Sequence, residues 1–415
     1  MKNPQSSSSM SNTNTNDEES LTPLIPGLPN DIASTILSMV PFSHHSRIKP
    51  TSKSWAHLLS SKHFLSSLRR RNHLLCIFPQ DPSISNPFLF DPFHLAWTPL
   101  PPTPCNPSVY GLCNFSAVHV GPDIYVIGGS LFDTRSFPIN RPESTDSVFR
   151  FSLTDFAWEP VAPMLSPRGS FACAVVDARG IIVAGGGSRH TMFAAAGTRI
   201  RSAERYDVKN DKWEAVEALP GFRAGCVGFM VGGENEKEKE FWVMGGYGAS
   251  RTISGVFPVD EYYRDAVVMN LKGGDGEVWR EAGDMWGDGE RERIGKIVVA
   301  EDEGHGWPGV FMLDGNIIFR YDMPSNRWLY ESRVPRKAPY SSPFGFVAVD
   351  KELYVLAHYC VDLIETRRPR QHKRAGTMYI QIYNPKKKTW RSLVTKSPFD
   401  YPMDVGSAVL SSICL

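Results

Sequence analysis

Residues 114–163 decide the fold. They contain NFSAVHV (114–120), DIYVIGG (123–129), SVFRFSL (147–153) and AWEPVAP (157–163), with Gly, Pro, Asn and Asp between the runs. Short apolar runs divided by turn residues predict four antiparallel strands. A four-stranded sheet by itself has two bare faces and two open edges, so it needs a neighbour on each side.

Working outward, the unit recurs. Trp stands at positions 97, 158, 213, 279, 328 and 390. Five of these six Trp follow an aromatic by seven residues: Phe90, Phe151, Tyr206, Tyr321 and Tyr383. Trp279 breaks the spacing, and the insertion LKGGDGE (271–277) is expected to lengthen its hairpin. Three units end an apolar strand in a glycine pair: Gly128–Gly129, Gly185–Gly186 and Gly245–Gly246. A period near 50 residues with several strands per unit signals a solenoid or a propeller. The glycines let backbones approach closely, and the large aromatics fill space between units.

The glycine pair, the aromatic and the Trp beyond it resemble the kelch repeat, as do the linkers PMLSPRGS (Met164, Pro167, Arg168) and LPGFRAG (Leu219, Pro220, Arg223). The resemblance spans roughly residues 74–415 and implies a β-propeller. It is weakest around Trp328 and Trp390, where FMLDG and LYVLAH replace the glycine pair. Six Trp predict six blades. The first unit lacks a first strand, and GSAVLSSICL (406–415) is left over at the end, so it is expected to complete blade 1. An open array or a seventh, degenerate blade is the alternative. The fold class expected is therefore mainly β, a six-bladed kelch propeller preceded by a short helical segment and a polar tail.

The tail, residues 1–22, is rich in Ser, Asn and Thr and too poor in apolar groups to offset the entropy of ordering. Residues 24–72 read as helical. Asn30 or Asp31 can cap a helix carrying Ile32, Ile36, Leu37 and Val40, and Pro41 ends it. Such a segment is too short to bury its apolar faces alone. Leu28-Pro29-x-Asp31-Ile32, Ile36-Leu37, Val40-Pro41 and Ser52-Lys53-Ser54-Trp55 resemble the F-box motif. The resemblance implies three helices that dock a Skp-family adaptor, and through it a cullin, by way of Leu28, Pro29, Ile32, Ile36, Leu37, Val40, Pro41 and Trp55. Pro50 departs from the pattern and either breaks a helix or weakens the docking. A helical cap on the propeller is the competing interpretation.

With 45 basic and 44 acidic residues, the chain gives no electrostatic case for general binding to nucleic acid or a membrane surface. Seven cysteines without a C-x-x-C pair argue against a disulfide scaffold or structural zinc and fit an intracellular compartment, cytoplasmic or nuclear. The polar N-terminal stretch lacks an apolar h-region, so a secretory signal is not expected there, and no run of 18 apolar residues occurs in the sequence.

In a propeller, the loops joining strands two and three share a face with the linkers between blades. They are long at 130–147, 187–204, 247–265 and 358–376, which predicts a recognition face for a protein target. Arg189, Arg199 and Arg201 of one loop, and Arg367, Arg368 and Arg370 of another, can grip an acidic or phosphorylated segment. The alternative is an ordinary solvated loop. Catalytic patterns are missing. GGG at 185–187 lacks the P-loop lysine, no G-x-S-x-G occurs, and EDEGH (301–305) reads as a polar turn rather than a metal site. No catalytic residue, cofactor or metal is expected. The function implied is a non-catalytic substrate receptor of an SCF-type ubiquitin ligase; a kelch scaffold without a degradative role is the alternative.

Overall fold

A computed structural model describes residues 23–68, 73–80, 86–104, 110–133, 143–177, 180–187, 198–232, 239–253, 257–271, 278–291, 294–300, 308–335, 344–362, 374–399 and 403–414. The tail 1–22 lies outside them. The chain divides into two compact units, Met1–Leu68 and Arg69–Leu415.

The first unit holds α1 (Asn30–Ser38), α2 (Phe42–Ile48), a 3-10 turn (Lys49–Thr51), α3 (Lys53–Ser60) and α4 (Lys62–Leu68). The helix does break at Pro50, which sits inside the 3-10 turn. The N-cap of α1 is corrected: Pro29 occupies it with no side-chain cap, because Asn30 Oδ1 turns back to accept from the Leu24 N–H at 2.8 Å. Ser52 caps α3, and Trp55 Nε1 donates to Leu24 O at 2.6 Å. The core comprises Ala33, Leu37, Phe42, Leu59, Phe64, Leu65 and Leu68, with His45 buried between Phe42 and Phe64.

Among the described residues the second unit contains six four-stranded antiparallel sheets, besides a two-stranded and a three-stranded one. From the inner strand outward, blade 1 is Val409–Cys414, His73–Phe78, Phe88–Asp91 and Ala96–Pro99. Its inner strand thus comes from the C-terminal end, paired in full register from His73↔Cys414 to Phe78↔Val409. Blade 2 is Ser116–Val120, Asp123–Ile127, Val148–Ser152 and Ala157–Val161; blade 3 is Ala172–Asp177, Gly180–Ala184, Ala203–Asp207 and Lys212–Val216. Blade 4 is Val227–Val231, Glu240–Met244, Asp265–Asn270 and Trp279–Asp284; blade 5 is Lys296–Ala300, Gly309–Asp314, Ile317–Asp322 and Arg327–Arg333. Blade 6 is Gly345–Val349, Glu352–Asp362, Arg374–Asn384 and Thr389–Lys396.

Inner strands of neighbouring blades meet between blades 6 and 1, 1 and 2, 2 and 3, 3 and 4, and 5 and 6. Blades 4 and 5 join through a shared core that includes Phe229, Trp242, Val310 and Tyr321. The succession of blades therefore returns to its start.

The seven-residue spacing has a geometric cause. Turns 92–95, 153–156, 208–211, 323–326 and 385–388 each end on a residue in the left-handed region: Leu95, Phe156, Asp211, Asn326 and Lys388, with φ from 48° to 55°. A four-residue turn sets the Trp directly opposite the aromatic: Phe90↔Trp97, Phe151↔Trp158, Tyr206↔Trp213, Tyr321↔Trp328 and Tyr383↔Trp390. Ring centroids in these pairs lie 4.5–5.1 Å apart, within the contact range of aromatic pairs. Trp279 instead faces Met269 across a longer hairpin.

Candidate functional sites

On α1 the apolar residues divide between two faces. Leu37 and Ala33 point into the helical core. Ile32, Ile36 and Met39 follow at i, i+4 and i+7 on another face, and with Leu28 ahead of the helix they are 37–65% exposed. Pro29 is exposed, while Val40, Pro41 and Trp55 are half-buried. Of the eight residues expected at the adaptor surface, Leu37 and Trp55 thus also hold the unit together. An exposed stripe of large apolar groups on so small a unit marks an interaction surface.

The propeller face with the linkers is braced by two arginines. The Arg168 carbonyl accepts from Gly129 N–H at 2.8 Å, while its guanidinium donates to Gly185 O at 2.8 Å and Ser202 O at 2.9 Å and pairs with Glu204. Arg223 repeats the pattern one blade on: its carbonyl accepts from Gly186 N–H at 2.8 Å, and its guanidinium reaches Gly245 O at 2.8 Å and Asp265 at 3.0 Å. Each linker arginine therefore fastens the glycine pair of one blade to that of the next. Gly128 has φ +56°, and a Cβ there would meet Arg168 O at 2.6 Å, so glycine is required at that position. Burial lowers the Arg168 pKa, and the Glu204 charge opposes that shift.

The indole N–H groups tie blades laterally. Trp158 donates to Pro101 O, Trp213 to Ala162 O and Trp279 to Glu217 O, each at 2.9 Å and each into the preceding blade's exit. Trp390 donates to Ser332 Oγ at 2.9 Å, and Trp97 closes the circuit to Thr395 Oγ1 at 3.4 Å. Trp328 Nε1 is buried without a partner among the described residues.

Several of the long loops turn out to be β-ribbons. Tyr247–Ile253 pairs with Phe257–Tyr262, Ser130–Asp133 lies between Tyr110–Cys113 and Glu143–Ser144, and blade 6 extends its central hairpin to Asp362 and Arg374. Arg199 is drawn into this scaffold: it pairs with Asp260 at 2.6 Å and lies over the Tyr247 ring at 5.3 Å. Arg201 is exposed and has no ion-pair or hydrogen-bond partner for its guanidinium among the described residues. Arg189, Arg367, Arg368 and Arg370 lie outside the described residues, as does the EDEGH segment.

A cavity of about 1060 Å³ opens between blades 4 and 5, lined by Trp242, Arg280, Tyr321, Asn326, Leu329 and Tyr330 among others. Of its cations, Arg280 lies over Trp242 and is already paired with Glu240 at 2.8 Å, and Arg320 lies over Phe311 at 5.8 Å. Among the described residues no three His, Cys, Asp or Glu side chains converge as metal ligands. Burial pushes the thiols of Cys113 and Cys226 up to about 11 and that of Cys173 to about 12, so none supplies a thiolate at neutral pH. No helix among the described residues is long and apolar enough to cross a membrane.

Fold and surfaces together define a class: a small helical unit with an exposed apolar stripe, followed in the chain by six four-stranded blades. The F-box domain model matches residues 25–67, and the Kelch motif model matches residues 111–165 and 168–220. The F-box/kelch-repeat protein OR23 of Arabidopsis thaliana is 56% identical over 410 residues, which is 94% of this chain and 92% of that one. F-box/kelch-repeat protein SKIP30 is 31% identical over 226 residues, covering 52% of this chain and 60% of that one, and F-box protein AFR is 31% identical over 232 residues, covering 51% and 54%; both are from the same plant. The chain belongs to the F-box/kelch-repeat family.

Proposed function

We propose that the chain is the substrate-recognition subunit of an SCF-type cullin-RING ubiquitin ligase, acting in the cytoplasm or nucleus. The helical unit docks a Skp-family adaptor, which links it to a cullin, and the propeller holds a target protein. The chain itself supplies position rather than chemistry. The observation that carries this reading is the exposed Leu28, Ile32, Ile36 and Met39 stripe on a unit whose core is built from other residues. The propeller's linker face supports the target half, because ribbons and linkers gather there on a braced scaffold.

Co-purification of the full chain with a Skp-family adaptor tests the first half. The paired substitution Ile32→Asp, Ile36→Asp is expected to reduce capture at least tenfold while leaving the thermal transition in place. Undiminished capture by that folded variant would overturn the docking assignment. For the second half, ubiquitination of a captured target should need both units in one chain.

A further inference from the structure

Kelch linkers in this chain carry one apolar residue that is buried and one that is not. Met164 and Leu219 are buried against the glycine pairs, where Cβ atoms on Gly128 and Gly185 would collide with them. Leu165 and Phe222, in the same two linkers, are 60% and 53% exposed. Leu165 donates its backbone N–H to Glu204 at 2.7 Å, but the two side chains belong to no hydrophobic core cluster among the described residues.

Between these linkers runs the segment that enters the third strand of blade 3. Ser202 Oγ lies 3.4 Å from Ser166 Oγ of the first linker. On the other side Arg201 O accepts from Leu219 N at 2.8 Å, and Ile200 O accepts from Arg223 N at 3.5 Å. The Arg201 backbone is thereby set between the two linkers that carry Leu165 and Phe222. Its guanidinium is exposed and unpaired among the described residues, unlike those of Arg168, Arg199 and Arg223. The backbone beneath is fixed by the two bracing arginines, so the three side chains stand on a rigid base. Tyr263 adds to that base, with its hydroxyl donating to Phe222 O at 3.3 Å.

We propose that Leu165, Arg201 and Phe222 form a target-binding patch that selects an extended segment carrying a carboxylate flanked by large apolar side chains. The inference rests on the reading of the linker face as the target face and narrows it to blade 3. Charge complementarity chooses the occupant: a single unpaired guanidinium matches one carboxylate in forked geometry. The flanking apolar groups exclude water from that pair, the arrangement in which an interfacial Arg contributes most. A tract of several phosphates would call for several cations, and among the described residues the patch offers one.

The probe is a displayed library of random dodecapeptides, selected on the purified full chain. The expected result is enrichment of Asp or Glu between large apolar residues. Binding of an enriched peptide, read by fluorescence anisotropy, should weaken at least tenfold for Arg201→Glu and for Leu165→Ser with Phe222→Ser. Selection on Arg201→Glu should return Lys or Arg at the central position. Failure to enrich any motif, or enriched peptides that bind all variants equally, would overturn the proposal. So would a peptide that binds only after its carboxylate is replaced by phosphoserine. All three side chains are exposed, and a melting curve on each variant confirms that it folds. Adaptor capture, measured on the same preparations, separates this idea from the ligase reading: peptide selection without adaptor capture would sink the latter alone.

Discussion

Replacing Arg168 by Met should be among the most damaging single changes in the propeller, and the reason lies in Glu204. Arg168 and Glu204 are at most 1% exposed. The guanidinium satisfies Gly185 O, Ser202 O, Ser202 Oγ and the Glu204 carboxylate. Without it, Glu204 keeps only the Leu165 N–H at 2.7 Å, and Gly185 O loses its side-chain donor. Stranding one charge of a buried pair costs about 3–5 kcal/mol, and an orphaned carbonyl about 1 kcal/mol more. Against a typical total of about 5–15 kcal/mol, that loss approaches unfolding. Arg223→Met is the control. It cuts a homologous link, but the Asp265 side chain is 25% exposed and can rehydrate, so the cost should be about 1–3 kcal/mol. Urea unfolding of the full chain measures both as midpoint shifts at constant slope. Adding Glu204→Gln to Arg168→Met should recover about 2 kcal/mol or more, since the stranded charge is gone. Equal costs for the two arginines, or no recovery in the double variant, would refute the reasoning.

Burial holds His45 and His358 neutral, each pushed down to about 4. The unfolded chain protonates near 6.5 and the folded one does not, so stability is full above pH 6.5 and declines by about 1.4 kcal/mol per pH unit per histidine as pH falls towards 4. His358 Nδ1 accepts from Met403 N–H at 3.1 Å, and His358→Leu should flatten the propeller's share of that slope in urea midpoints taken from pH 7.5 to 5. Trp213→Phe deletes the bond to Ala162 O, whereas Trp328→Phe deletes an indole N–H that bonds nothing; denaturation should find the first costlier by about 1 kcal/mol. Leu95 holds φ 52° at an exposed turn, so Leu95→Gly should stabilise blade 1 by up to about 1 kcal/mol, seen as a raised melting temperature. Leu37→Ala should cost the helical unit about 2–5 kcal/mol, read by far-ultraviolet circular dichroism, whereas the paired Ile32→Asp, Ile36→Asp should leave it folded.

The repeat was legible because it is local. An aromatic and a Trp seven residues apart are joined by one four-residue turn, and that turn decides which residue faces which. The same logic explains why Trp279 stood out: its hairpin is longer, and Met269 is not aromatic. Long-range pairing was not legible. Arg199 looked like one of a cluster of solvent cations, yet it is committed to Asp260, 61 positions away. On α1, period alone grouped Ile32 and Ile36 with Leu37, and only packing against α4 and its neighbours shows which side is core. Ribbons inside the long loops were hidden for a similar reason, since Ser130–Asp133 owes its strand to partners both before and after it in the chain.

The junction of blades 4 and 5 shows that the glycine pair and the linker arginine are one device. Blade 5 has no glycine pair, and Arg291 of the linker before it pairs with Asp314 at 3.3 Å, donates to Met312 Sδ at 3.3 Å and lies over Phe319. On the outer edge, a bulge skips Ala282 between Val267↔Glu281 and Ala266↔Gly283, with Gly283 at φ +81°. The carbonyls of Ala282 and Asp284 then go to Asn326 Nδ2, at 2.7 and 3.1 Å. In the other blades the Trp N–H bonds to the blade before it; here Trp328 is left with nothing. A cavity opens at this junction, where the clasp made by Arg168 and Arg223 and the indole bond of the other blades are both absent among the described residues. The glycine pair missing from FMLDG is therefore more than a weak match to a repeat. Without the left-handed backbone that only glycine adopts cheaply, blade 5 presents no glycine carbonyl of the kind that Arg168 and Arg223 reach forward to.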